Sequence, residues 1–181
     1  NDFVDSVCLS FSTISTGGFS PRPDSITSFS EYTQLAVTVF MFLAGTNISL
    51  LYYLLLCRPR MIWKSEEFRT YLFVILVASV LLTLMLFGQG VDVGKSAEYS
   101  LFQVVSTIST SGYYISMPQG WMKVIPLFLF MLMFFGACSG STGGGIKMAR
   151  IMILFKYVRN QFVIMLHPRA VAPVKIDGKV I

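Results

Sequence analysis

The chain has little of what soluble enzymes and secreted domains are built from. Only 13% of its 181 residues are charged, and it has three cysteines and one histidine. Cys8, Cys57 and Cys138 are widely spaced, which predicts neither a metal site nor a disulfide framework. The lone His167 is interpreted as structural. In contrast, 54% of the residues are hydrophobic and the mean hydropathy is +0.68, so the composition predicts an integral membrane protein.

The hydrophobic residues are collected into three long runs at residues 32–56, 71–87 and 121–166. A helix crosses a membrane with about 20 residues, so the first two runs predict one span each. The third run is roughly twice that length and is interrupted by GSTGGG at residues 140–145. Because each Gly costs a helix about 1 kcal/mol, we expect the third helix to break there.

Basic residues predict how these spans are oriented. The net charge of +5 is interpreted as a topology signal rather than as a nucleic-acid surface, because 11 of the 14 basic residues lie after the first or third membrane crossing, the third ending near the glycine-rich interruption, and only Arg22, Lys95 and Lys123 lie on the other side. Those basic segments are predicted to be cytoplasmic, in a multi-pass protein of the cell (inner) membrane. The chain starts without Met or a basic n-region, and we expect it to be an internal piece of a longer polypeptide.

An octapeptide motif occurs twice, as STISTGGF at residues 12–19 and as STISTSGY at residues 106–113, hereafter the first and second strips. Each strip follows an apolar segment too short to span, at residues 1–13 and 97–107, and precedes a Pro-containing loop. This pattern predicts two re-entrant loops that dip in from the extracellular or periplasmic side.

Non-helical backbone at membrane depth is tolerated where it is buried in protein or lines a watery cavity. Carbonyl oxygens of such a strip can replace the hydration shell of a cation. Small residues that only allow close helix packing are the alternative, but this explains one copy better than two. The candidate ion-filter residues are Ser15, Thr16, Gly17, Gly18, Phe19, Ser109, Thr110, Ser111, Gly112 and Tyr113. The aromatic residue that ends each strip, Phe19 or Tyr113, is expected to brace the strip from behind.

The interruption of the third run invites several interpretations. A phosphate-binding loop is rejected because Ile146 separates the last Gly from Lys147 and no Ser or Thr follows. The spacing of Gly140 and Gly144 also fits a helix-packing motif. A flexible polar loop below a filter could instead obstruct or open a pore. Lys147 and Arg150 either tune such a loop or extend to the cytoplasmic surface.

Together with the strips, the string GACSGSTGGGIKMARI at residues 136–151 resembles the Trk/Ktr/HKT superfamily of potassium transporters. The resemblance implies an all-α membrane protein with four helix, re-entrant pore loop, helix units around a pore. It implies that residues 1–66 are the second unit without its outer helix, residues 67–165 the third unit, and residues 166–181 a cytoplasmic linker.

The resemblance also implies functional residues. It places Gly18 and Gly112 at the family's characteristic filter glycine, and K⁺ at the backbone carbonyls of Thr16, Gly17, Thr110 and Ser111. The gate that it implies consists of Ser139, Gly140, Ser141, Thr142, Gly143, Gly144 and Gly145, with Lys147 and Arg150 beside it. No cofactor is expected beyond the transported K⁺.

The function expected from the resemblance is potassium uptake without covalent chemistry. The expected partners are lipid, the remaining pore units, a second copy of the chain and a cytosolic nucleotide-binding regulatory subunit. Two strips cannot close a four-sided filter, so the fragment alone is not expected to conduct. A sodium or mixed cation transporter is one alternative. A membrane-embedded enzyme or subunit that binds a non-ion ligand is another, although the spans offer no acidic residue, His or Cys pair for acid, base or nucleophilic work.

Two smaller features remain open at this point. Asn47 in the first run is interpreted either as a pore-facing polar residue or as an interhelical hydrogen-bonding residue. Asp177-Gly178 predicts a hairpin near the end of the chain.

Overall fold

The computed structural model describes residues 3–56, 59–116, 124–166, 175–176 and 179–180. These ranges form eight helices and one short antiparallel ladder. The elements are α1 (Phe3–Ile14), α2 (Glu31–Ala44), α3 (Ile48–Leu55), α4 (Pro59–Lys64), α5 (Glu66–Phe87), α6 (Val93–Ile108), α7 (Val124–Leu132), α8 (Met148–Leu166), β1 (Lys175–Ile176) and β2 (Lys179–Val180). The predictions made for Cys57, His167 and Asp177-Gly178, and the predicted start of the third run at residue 121, concern residues outside the described ranges.

Helix α5 is the one helix of the described ranges that is long and apolar enough to cross a membrane by itself. It begins at Glu66, five residues before the predicted span, because the Ser65 side chain caps it by accepting a hydrogen bond from Phe68 N. One face, with Ile75 and Leu82, is buried, whereas Phe73 on another face is largely exposed. This division suits a helix that packs on protein on one side and meets lipid on the other.

The first hydrophobic run is not one helix, and the prediction of a continuous span over residues 32–56 is wrong. Gly45 ends α2, and the Asn47 side chain accepts a hydrogen bond from Ser49 N at the start of α3. The groups freed by the break pair with the third run: Cys138 N donates to Gly45 O (3.0 Å) and Ile48 N donates to Gly140 O (3.3 Å). The break costs little because its peptide groups have partners.

The third run breaks where glycines are dense, but the break extends over residues 133–147 and is wider than predicted. Its two sides form a neck, in which Gly136 N donates to Ile146 O (2.9 Å) and Met148 N donates to Ala137 O (3.1 Å). A Cβ on Gly136 would lie 2.6 Å from Ile146 O, so only Gly lets the two sides approach this closely. The neck leaves residues 138–145 as a closed loop.

Helix α6 lies at the centre of the bundle and packs on α2, α5 and α7. It starts at Val93, four residues before the predicted segment, because Asp92 caps it by accepting from Gly94 N. Phe102, Val104 and Ile108 are fully or almost fully buried in the core that these helices share. The second strip therefore begins from a rigidly packed helix.

A close approach between Gly45 and Tyr71 generates a testable prediction. A Cβ on Gly45 would lie 2.3 Å from the hydroxyl oxygen of buried Tyr71. We expect Gly45→Ala to lower the free energy of unfolding by about 1–3 kcal/mol through overpacking. Thermal or denaturant unfolding of the purified full-length protein in detergent measures this change.

Tyr71→Phe removes the obstructing hydroxyl together with its 3.4 Å hydrogen bond to Phe42 O. The double variant should therefore be less destabilised than the sum of the two single variants. Strict additivity would show that the Tyr71 hydroxyl is not what excludes a side chain at Gly45.

Candidate functional site

The two strips share an uncommon backbone conformation. Thr16 and Thr110 have φ of 54° and 60°, and Gly18 and Gly112 have φ of 71° and 84°. A β-branched residue rarely adopts the left-handed region, and such strain persists only where the surrounding structure imposes it. The repeat in the sequence is thus also a repeat in backbone geometry, residue for residue.

Each strip is held to the last turn of its own helix by an equivalent hydrogen bond. Gly17 N donates to Ser12 O (2.8 Å), and Ser111 N donates to Ser106 O (3.0 Å). In the first strip the Ser12 hydroxyl also accepts from Phe19 N at 2.7 Å. The repeated serine therefore fixes the path of the chain as it leaves the helix.

The strips also contact each other. A Cβ on Gly18 would lie 1.9 Å from Ser111 O, so the second strip passes directly against the first. Tyr113 is fully buried, and its hydroxyl donates to Phe19 O at 3.2 Å. Phe19 itself is 80% exposed on this chain. The two aromatic residues thus occupy different surroundings despite their equivalent positions in the repeat.

Several carbonyl oxygens of the strips have no hydrogen-bond donor among the described residues, including those of Gly18, Ser109 and Gly112. Within the described part of the chain, the carbonyl oxygens of Thr16, Gly17, Thr110 and Ser111 also accept no hydrogen bond. Backbone carbonyls away from bulk water normally have a partner. These oxygens are therefore free to coordinate another group.

The glycine-rich loop contacts both strips at the end where each leaves its helix. The Thr142 hydroxyl donates to Ile14 O (3.0 Å). The Thr16 hydroxyl lies 3.2 Å from Thr142 O and 2.7 Å from Ser15 O, and it can donate to either. At the second strip, Gly144 N donates to the Thr110 hydroxyl at 2.6 Å. A single loop therefore links the inner ends of both strips.

The loop also packs tightly on the second strip, and the positively charged side chain of Lys147 forms hydrogen bonds with it. A Cβ on Gly143 would lie 2.8 Å from Ser109 O, so this position has no room for a side chain. Lys147 Nζ donates to Gly143 O and to both oxygens of Ser141, the carbonyl and the hydroxyl at 3.3 Å each. Arg150 is exposed on α8. The structure brings Lys147 into the loop and places Arg150 on the helix surface.

Sequence reasoning missed Glu67, which lies in the first turn of α5. Its side-chain Oε1 accepts from Ser139 N (2.6 Å) and from Ala149 N (3.2 Å), and the residue is 8% exposed. An acidic residue in a first helical turn is an ordinary helix-start signal. Nothing in the sequence distinguishes Glu67 from its neighbour Glu66.

The known proteins that this chain resembles are cation and potassium transport proteins. The sequence profile of the family described as "TrkH: Cation transport protein" matches residues 1–181. The chain is 34% identical over 179 residues to the Trk system potassium uptake protein TrkH of Salmonella typhimurium, covering 97% of this chain and 37% of that protein. It is 32% identical over 181 residues to TrkG of Escherichia coli, covering 98% of this chain and 37% of that protein.

The crystal structure of the potassium transporter TrkH from Vibrio parahaemolyticus superposes with a TM-score of 0.92 at 31% identity, covering 98% of this chain and 39% of that one. The chain thus spans well under half the length of these relatives. The prediction of an all-α, membrane-embedded fold is confirmed. These relatives are named as transport proteins rather than enzymes, in agreement with the prediction.

The Thr142 contacts generate a second prediction. Thr142→Val keeps the shape of the side chain but removes the hydroxyl that donates to Ile14 O, with Ala44 O also within reach at 3.3 Å. We expect a loss of about 1 kcal/mol in the free energy of unfolding of the full-length protein.

Thr83→Val is the matched control, because the Thr83 hydroxyl donates only within α5, to Ser79 O at 2.8 Å. Its effect should be clearly smaller under the same denaturant titration. Equal effects of the two substitutions would show that the Thr142 hydroxyl does not fasten the loop to the first strip.

Proposed function

This chain belongs to the TrkH family of cation transport proteins, and from that premise we propose that it forms two sides of a potassium-conducting pore. In this proposal residues 1–66 and 67–165 are two pore units, the second and third of four, and residues 166–181 are a cytoplasmic linker. The strips are two sides of the selectivity filter, and the remaining units of the polypeptide supply the other two.

The observation that carries the proposal is that both strips have unpaired carbonyl oxygens within the described residues, among them those of Thr16, Gly17, Thr110 and Ser111. K⁺ loses its hydration shell when it enters a narrow filter, and rings of backbone carbonyls can replace that shell. The shared left-handed geometry supports the same role for both strips. K⁺ is the substrate in this scheme, and no covalent step is needed.

Helix dipoles support a cation at this position. Helices α1 and α6 both end at the strips, so their C-terminal carbonyl groups lie at the inner end of the filter. The C-terminus of a helix carries a partial negative charge, which stabilises a nearby cation. Two such helix ends would favour a partly dehydrated K⁺ below the filter.

The glycine-rich loop is proposed as the gate. It lies against the inner ends of both strips through Thr142 and Gly144, so an ion leaving the filter would meet it next. Its glycines permit backbone changes that other residues resist. Lys147 adds a positive charge to the loop, which would oppose a cation as long as the loop stays beneath the filter.

The wider assembly is also part of the proposal. The strips face the extracellular or periplasmic side of the cell (inner) membrane, and the basic segments are cytoplasmic. The first strip is open on this chain, with Ser15, Gly17 and Phe19 exposed, which leaves room for further pore units. A second copy of the chain and a cytosolic nucleotide-binding subunit are the proposed partners.

Gly112→Ser in the full-length protein tests the filter. Gly112 has a φ of 84°, which costs an L-residue about 1–2 kcal/mol, so a serine should distort the second strip. We expect the ratio of K⁺ to Na⁺ uptake to fall about tenfold, equivalent to 1.4 kcal/mol of differential binding. Uptake of both ions into cells that lack other potassium transporters gives the ratio.

Gly88→Ser is the control substitution, because Gly88 ends α5 with an ordinary φ of −60° and has space for a Cβ. It should leave the uptake ratio unchanged. An unaltered ratio in Gly112→Ser, with normal expression, would remove this glycine from the filter.

A further inference from the structure

We propose that Glu67 is the positioning residue that anchors the glycine-rich loop beneath the filter and connects it to the cytoplasmic end of α5. This inference rests on the proposed function of the loop as a gate. Glu67 would act through the loop and would not contact the ion.

The geometry of the carboxylate supports this role. One oxygen, Oε1, accepts from Ser139 N at the start of the loop and from Ala149 N in the first turn of α8. The loop therefore has its entrance and its exit tied to the same atom. Residues 140–148 lie between these two contacts, and they include Thr142 and Gly144, which form hydrogen bonds with the strips and with Ile14.

The chemistry of the site explains why an acidic residue stands here. Glutamate is rarely buried unless it is paired, and Glu67 is 8% exposed. Its carboxylate lies in the first turn of α5 and accepts from the first turn of α8, so the positive ends of two helix dipoles meet it. Hydrogen bonds to a charged acceptor are stronger than those between neutral groups.

Glu67 also connects the loop to the segment that leads to the cytoplasm. Helix α4 passes through the single residue Ser65 into α5, so Glu67 lies three residues after the end of α4. Together with Asn47, Lys64 and Arg69 it borders an open, polar cavity of about 530 Å³. A displacement of α4 or of the start of α5 would therefore be transmitted to the loop through the Glu67 side chain.

Hydrogen–deuterium exchange of the full-length protein in detergent tests the anchor directly. In Glu67→Ala, the peptides that contain the amides of Ser139 and Ala149 should exchange about tenfold faster, because both amides lose a charge-assisted acceptor. Glu67→Gln retains an acceptor oxygen at the same position but lacks the charge, so its exchange should lie between that of the wild type and that of Glu67→Ala. This partial rescue separates an anchoring oxygen from a general loss of packing.

Glu66→Ala is the matched control, since it removes the same charge from the same helical turn. Glu66 forms an ion pair with Lys156 on α8. Exchange of the loop peptides should stay at the wild-type rate in this variant. Loop exchange that is unchanged in Glu67→Ala, or equally fast in Glu66→Ala, would overturn the anchor.

Potassium flux in proteoliposomes, measured on the same variants, tests the gate separately. If the loop obstructs the pore, flux without any regulatory partner should rise about tenfold in Glu67→Ala and rise less in Glu67→Gln. Faster exchange with unchanged flux would retain the anchor and overturn the proposed gate. Faster exchange with higher flux supports both.

Discussion

Peptide groups that leave helical geometry inside a membrane must find new partners, and the interior of this protein is arranged around that constraint. Three stretches depart from the helix: the two strips and the long break at residues 133–147. A fourth, shorter break separates α2 from α3 and pairs with the long one through Cys138 N and Ile48 N. The irregular segments therefore satisfy each other, and the loop is the element that they share.

The carbonyl groups that remain unpaired within the described residues are informative for the same reason. Many neighbouring peptide groups are hydrogen-bonded. Within the described residues, however, no hydrogen bond is accepted by the carbonyl oxygens of Thr16, Gly17, Thr110 and Ser111. Left-handed backbone at two threonines would be costly without a compensating role. In the proposed filter, coordination of a dehydrated cation by the carbonyl oxygens would provide one, and it would explain why the same strain occurs in both strips.

The two strips differ in their surroundings although their sequences and backbones match. Ser109, Ser111 and Tyr113 are buried by the core around α6, whereas Ser15, Gly17 and Phe19 are exposed. The difference arises because α6, which leads into the second strip, packs on α2, α5 and α7, whereas α1, which leads into the first strip, packs mainly on α2 among the described helices. The loop, in turn, is positioned by Lys147 from within and by Glu67 from α5.

Local sequence determined the helical class, the repeat, the glycine-rich break and the apolar runs, because composition and short-range periodicity act on neighbouring residues. It misjudged the first run, since Gly45 alone is a weak helix breaker and the partners of the break lie in the third run. It could not identify Glu67, whose two amide donors are 72 and 82 residues away. Only the tertiary structure brings the amides of Ser139 and Ala149 to the same carboxylate oxygen of Glu67. Contacts between distant segments depend on how the helices pack, and the residues next to Glu67 in the sequence do not determine them.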